Sequence, residues 1–283
     1  MKRTLGLLAA LGTALMLTAL PASAITNGAP DGEGHPYVGL MVAFDANGIP
    51  LWRCSGTLIS PTVFVTAGHC TDSASGAASA QIWFDSGSPT PIPFDTAFGV
   101  ADPAHPCVGT TGYPCVGDVG GTVHTYPGFD MSTFWLHDVG VVVLDTPVTD
   151  RGYGALPAPN ALAGMKPNAH TTFTSVGYGL QQSFPAQGMS SLKDVALRTR
   201  MVAHPHLIQI DNPSLGPQSI VLSNNANTGG TCFGDSGGPN FIGDSNVIAG
   251  VTSFGKNPTC AGQGGVFRLD QPNVLSWIAG FGS

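Results

Sequence analysis

Gly234-Asp235-Ser236-Gly237-Gly238-Pro239 is the stretch on which the reading of this 283-residue chain turns. Small, turn-forming residues on both sides of one hydroxyl let the backbone adopt conformations that a Cβ forbids, exposing the oxygen and turning neighbouring N–H groups toward one point. Those are the needs of a nucleophile. A serine hydroxyl is weak alone, so it requires a base to take its proton and a third group to orient that base. Thr66-Ala67-Gly68-His69-Cys70 offers the imidazole, and Asp138 stands just before the apolar run Val139-Gly140-Val141-Val142-Val143-Leu144.

Taken singly, each motif has a bland structural explanation: His69 as a packing histidine, Asp138 as a strand-end cap, the glycines as a tight turn. Three such turns mimicking one mechanism in one order are harder to explain. Together the motifs resemble the chymotrypsin-like (trypsin-fold) serine proteases, whose His, Asp and Ser follow in this order and whose triad is itself the reference case for the mechanism. The resemblance covers nearly all of the chain after residue 24.

What it implies is an all-β fold of two packed antiparallel Greek-key β-barrels, with the active site in the cleft between them and a short C-terminal helix. The first barrel is expected over 25–145, the second over 165–270 and the helix over 271–280. Ser236 would attack the substrate carbonyl, His69 would shuttle the proton, and Asp138 would hold the imidazole. The N–H groups of Gly234 and Ser236 would form the oxyanion hole. Ser253 matches a serine that hydrogen-bonds the buried aspartate, and its segment would pair with the substrate backbone. Gly230 maps to the floor of the specificity pocket, with Ser253, Phe254, Gly255 and Gly265 around it. No acidic residue stands at that floor, so a large apolar or aromatic side chain is expected before the scissile bond.

The start of the chain suggests export. Met1-Lys2-Arg3, an uncharged run over 4–20 and Ala22-Ser23-Ala24 have the basic, apolar and small-residue parts of a cleavable signal peptide. A membrane anchor is the alternative, but the run is short for one. Cleavage after Ala24 would expose Ile25-Thr26-Asn27-Gly28, similar to the activated amino terminus of the family, whose α-amino group pairs with the residue that here is Asp235. Export alone would then produce the active end, without a separate zymogen.

Loss of Lys2 and Arg3 would leave 8 basic against 17 acidic side chains, a balance that argues against nucleic-acid partners. Charged residues make up only 10% of the chain, while it holds 39 glycines and 23 prolines, a composition suited to a turn-rich β-protein. Short β-rich runs are expected at 38–44, 54–59, 63–67, 80–84 and 139–144, then at 171–178, 195–202, 219–222, 247–254 and 265–269. A helical pattern follows at 271–279. Residues 86–130 carry mostly loop signals and read as an insertion, a length of loop that is uncommon unless functional. Residues 146–167 resemble the linker between the family's two halves.

Six cysteines in an exported chain point to disulfides, and sequence alone allows 15 pairings. The resemblance implies Cys54 with Cys70 and Cys232 with Cys260, which leaves Cys107 with Cys115. A metal site of His105, Cys107, Cys115 and His124 competes with that last pair, but oxidised cysteines cannot act as thiolate ligands. No metal and no cofactor are expected. The disulfide common in the family's second barrel, between linker and nucleophile, has no cysteines here, so the rim between 180 and 227 is expected to differ in shape.

Function therefore reads as secreted serine endopeptidase, acting on proteins or peptides as a monomer, with protein protease inhibitors as a further partner class and no membrane contact after signal cleavage. The alternative is a non-catalytic relative using the fold for binding or adhesion. Such proteins usually replace a triad member, and His69, Asp138 and Ser236 are all intact.

Overall fold

The computed structural model describes residues 25–84, 117–181, 183, 198–211, 216 and 218–282. Six antiparallel strands close the first barrel: β2 (Val38–Phe44), β3 (Pro50–Ser60), β4 (Val63–Thr66), β5 (Ser79–Trp83), β6 (Val119–Thr125) and β7 (Gly140–Leu144), in the order β2-β3-β4-β7-β6-β5. Every residue of β2 is buried, because one face of the strand packs in the barrel and the other is covered as well. Phe64, Leu58, Ile82 and Val142 fill the interior.

The second barrel uses β8 (Asn168–Gly177), β10 (His206–Ile210), β11 (Ser219–Asn224), β14 (Gly262–Arg268), β13 (Ile248–Gly255) and β12 (Pro239–Ile242). They are paired in that order, and the β8–β12 pairing closes the ring. Its interior cluster holds Leu162, Phe173, Leu207, Ile220, Leu222 and Val266. This is the two-barrel, all-β architecture that the resemblance implied. The short helix α1 (Gly68–Thr71) follows β4, and the C-terminal helix α2 (Pro272–Ala279) inserts Val274 and Ile278 into the cluster that contains the first barrel's core.

Two boundaries need correction. The segment from Ile25 was expected within the first barrel, but β1 (Ala29–Pro30) pairs with β9 (Met201–Ala203), which in turn pairs with β8 of the second barrel. The amino-terminal stretch thus crosses over to the second half. Residues 119–125, expected inside a loop insertion, form β6 and pair with both β5 and β7. Two glycines hide its alternation, and at Gly121 a Cβ would stand 2.6 Å from both Val142 Cγ1 and the Val143 carbonyl oxygen. Close approach of the neighbouring strand excludes a larger residue there.

Candidate active site

Strand register explains how His69 and Asp138, distant in sequence, come together. β4 and β7 are antiparallel neighbours with Thr66 opposite Gly140, so the chain leaving β4 and the chain entering β7 emerge side by side. His69 sits three residues past one end and Asp138 two residues before the other. At Gly140 a Cβ would lie 2.4 Å from Thr71 Oγ1, so glycine lets the histidine turn pack against the strand.

His69 Nδ1 lies 3.0 and 2.9 Å from the two Asp138 carboxylate oxygens, and the His69 backbone N–H donates to Oδ1 at 2.9 Å. Ser253 Oγ donates to the other oxygen, Oδ2. Asp138 is fully buried, while the His69 side chain keeps 20% of its surface exposed. With a carboxylate at Nδ1, the neutral imidazole carries its proton there and leaves Nε2 as the acceptor on the open side. Burial alone would lower the imidazole pKa, but the Asp138 charge and hydrogen bond outweigh it and hold the group above its ordinary value.

Ser236 arrives from the loop between β11 and β12, and this loop is fastened to both barrels. Its carbonyl accepts from Ser55 N–H of β3 at 2.8 Å, while Gly237 N–H donates to the Thr252 carbonyl of β13 at 2.8 Å. Gly234 and Gly237 have φ of +94° and +78°, in the left-handed region that strains a residue with a Cβ. At Gly237 such a Cβ would also stand 2.0 Å from Thr66 Oγ1. Among the described residues the N–H groups of Gly234 and Ser236 donate to no protein acceptor, whereas Asp235 N–H is taken by the Cys232 carbonyl at 3.0 Å.

Ser236 and His69 face the same open space. One cavity of about 310 Å³ is lined by both residues together with Thr231, Ser253, Phe254 and Gly255. A second, of about 520 Å³, is lined by both together with Trp52, Arg53, Leu180 and Gly234. Ser236 and the His69 imidazole therefore stand between two pockets, one bordered by the β13 edge and one by β3. Met131 and Phe233 line both, and with Ile49 they are the exposed large hydrophobic residues among those described.

Cys54 and Cys70 are bonded, tying β3 to the His69 turn, and Cys232 is bonded to Cys260 across the first cavity. Cys107 and Cys115 lie outside the described residues, as do His105 and the signal-like segment 1–24. Cys54, His69 and Cys70 cluster at metal-ligand distances, but the disulfide removes both thiolates.

The expected pocket needs revision at two positions. Gly230 does not line the cavity: its N–H donates to the Thr26 carbonyl at 3.0 Å, and the Asn224 side chain occupies the place of its absent Cβ. Gly265 pairs with Phe254 across β13 and β14, and the Phe254 ring lies over it, 2.2 Å from where a Cβ would be. An aromatic ring covering its cross-strand glycine thus supplies the wall at the position where Gly265 was expected to border the pocket. Phe134, 5.7 Å from the His69 ring centre and 6.5 Å from that of Phe254, completes an aromatic rim that no motif signalled.

Ile25 and Asp235, the expected ion-pair partners, are both fully buried. Ile25 packs with Met201 and Ala203, and Thr26 forms a bridge with Gly230. Asp235 accepts the Gly179 N–H at 2.7 Å and the Cys232 N–H at 2.8 Å. Burial nevertheless pushes its carboxyl up to about 7, against those hydrogen bonds and the Arg53 charge.

Known proteins resemble this chain in sequence and in fold. A family model described as Trypsin matches residues 111–278. The chain is 30% identical over 216 residues to brachyurin of Leptuca pugilator, covering 74% of this chain and 79% of that protein. It is 28% identical over 262 residues to serine protease 1 of Drosophila melanogaster, covering 91% and 82%. Among solved structures it resembles HL collagenase, with a TM-score of 0.62 at 21% identity over 90% of this chain and 97% of that one. Human heparin binding protein gives 0.59 at 18% identity over 90% and 96%. At those identities the two structures speak to the fold alone.

Proposed function

The chain belongs to the trypsin family of serine proteases, and from that premise we propose that Ser236, His69 and Asp138 are the catalytic triad of a serine endopeptidase. The single observation carrying this is the buried Asp138 carboxylate on His69 Nδ1, with the ring's other nitrogen on the cavity side that Ser236 also lines. Ser236 Oγ attacks the substrate carbonyl as His69 accepts its proton. The same proton is then given to the departing amine, and water repeats the sequence on the acyl-enzyme. The oxyanion is received by the N–H groups of Gly234 and Ser236, which have no other acceptor among the described residues. His69 must be neutral to act as base, so kcat/KM rises with pH through its raised pKa.

The first cavity takes the side chain before the scissile bond, while the β13 edge at Ser253–Gly255 pairs with the substrate backbone. Phe233, Phe254 and the Cys232–Cys260 bridge wall the cavity, and among the described residues no Lys, Arg, Asp or Glu lines it. Burying Lys, Arg, Asp or Glu there would leave a charge unpaired, so apolar side chains are selected. A peptide library should show cleavage after Phe, Tyr or Leu. Preferred cleavage after Lys or Arg would contradict the pocket assignment.

We also propose that Ile25 becomes the amino terminus on export and that its ammonium pairs with Asp235. Asp235 supports this as a buried carboxylate whose hydrogen-bond donors among the described residues are the backbone N–H groups of Gly179 and Cys232. While the chain still extends before Ile25, the raised carboxyl favours the folded state below its unfolded value, and that contribution is lost as pH climbs through about 7. A freed ammonium reverses this by keeping the carboxylate ionised. No helix among the described residues is long and apolar enough to cross a membrane. One structural relative is named for heparin binding, but 17 acidic against 10 basic side chains is the wrong balance for a polyanion, and the sequence retains His69, Asp138 and Ser236.

A further inference from the structure

A buried charged cluster outside the triad lies on the strand that receives the amino-terminal segment. Arg200, immediately before β9, has no exposed side-chain surface, and Asp31, immediately after β1, has 2%. Arg200 Nε donates to Asp31 Oδ2 at 2.7 Å, and a terminal guanidinium nitrogen donates to the Gly32 carbonyl. His35 donates to the same carboxylate through its backbone N–H at 2.8 Å, and its Nδ1 stands 2.6 Å from the other oxygen. Asp31 N–H closes the arrangement on the Arg200 carbonyl at 3.0 Å.

Position gives this cluster its meaning. Ala29 and Pro30 pair with Val202 and Met201, and Ile25 packs on Met201 and Ala203. The segment thus meets β9 at Ile25 and again at Ala29–Pro30, with Thr26 bridged to Gly230 between them, and it is fixed at its far end by the ion pair. On the other side of β9, Met201 pairs with Gly177, and Arg200 hydrogen-bonds Tyr178. The next residue, Gly179, donates its N–H to Asp235, the neighbour of the nucleophile. One guanidinium therefore touches both the amino-terminal segment and the strand end that holds Asp235.

We propose that Asp31 and Arg200 are positioning residues for catalysis: their buried pair anchors the 25–31 segment on β9 so that the Ile25 amino group is delivered to Asp235. The proposal rests on the reading of Ile25 and Asp235 as ion-pair partners. The groups facing the clamp are His35, Tyr37 and Tyr178, and the charged side chain acting on Asp235 is Arg53. Burial would raise the Asp31 carboxyl, yet His35 and Arg200 hold it below its ordinary value, so the clamp is intact through neutral and alkaline pH and fails only in acid. Any alkaline loss of activity then belongs to the amine, whose ordinary pKa is about 7.7 to 8.0 and which the pair with Asp235 raises.

The test measures kcat and KM against pH for the secreted enzyme beginning at Ile25, for its Asp31→Asn and Arg200→Lys variants, and for an enzyme that retains Ala24. The parent should lose kcat on the alkaline side with a midpoint above the ordinary amine value. Asp31→Asn should move that midpoint down by about one pH unit, the equivalent of roughly tenfold weaker docking, with KM at neutral pH little changed. Arg200→Lys, which keeps the charge, should retain most of the parent midpoint, whereas Arg200→Gln, measured alongside, should lower it as Asp31→Asn does and carries the test if Asp31→Asn does not fold. A lowered melting temperature with an unmoved alkaline midpoint would overturn the proposal by making the pair structural only. If the Ala24-extended enzyme matches the parent in activity and profile, the amine reading falls and the clamp role with it. If the extension abolishes activity while Asp31→Asn or Arg200→Gln leaves the midpoint in place, the clamp role alone falls.

Discussion

Compared with the His69–Asp138 corner of the first barrel, the Ser236 loop of the second is held within itself by backbone N–H donors, Asp235 to the Cys232 carbonyl, Gly238 to the Asp235 carbonyl and Cys232 to the Asp235 carboxylate. In the corner, strand register brings the two residues together, and the carboxylate takes donors from His69 N–H, His69 Nδ1 and Ser253. The loop instead holds two glycines at positive φ, leaves two N–H groups without protein acceptors among the described residues, and buries a carboxylate whose hydrogen-bond donors are both backbone N–H groups. Its shape is also maintained from outside: by Ser55 of β3, by the Cys232–Cys260 bond and by the Thr26–Gly230 bridge from the amino-terminal segment. The His69–Asp138 pair is thus a product of barrel folding, whereas the Ser236 loop also depends on parts added to it.

That contrast can be broken from either side. Asp138→Asn should leave the barrel folded but lower kcat by about 10⁴, the drop known for the equivalent exchange within this protease family, because the amide holds the wrong imidazole tautomer. Unchanged activity would show that the corner is not the base. Gly234→Ala should cost less. A Cβ at φ +94° adds strain of about 1 to 2 kcal/mol and meets Gly179 Cα at 3.1 Å. The displaced N–H should lower kcat by roughly 10² to 10³ with KM little affected. Equal loss in KM and kcat would place the damage in substrate binding rather than in the oxyanion site.

The parts legible in the sequence were those where chemistry restricts residue type at one place. Ser236 among glycines, His69 beside Cys70 and Asp138 before an apolar strand each left a local signature, and β2 at Val38–Phe44 was bounded by its own turn residues. β6 was not legible, because Gly120 and Gly121 answer to the space between strands rather than to any alternation. The Asp31–Arg200 pair joins positions 169 apart, and neither residue stands in a motif. Phe254 was placed at the pocket, but which wall its ring forms depends on its partner Gly265 across the sheet. Local constraint can be read along a chain; contact across strands needs the register.

The most direct measurement of the central claim is covalent labelling with a fluorophosphonate, followed by mass spectrometry of the modified peptide. Stoichiometric modification at Ser236 is predicted for the intact enzyme, with none at that position in Ser236→Ala and much slower reaction in His69→Ala. Proteolysis by a protein that resists the reagent, or labelling that persists in Ser236→Ala, would contradict the account.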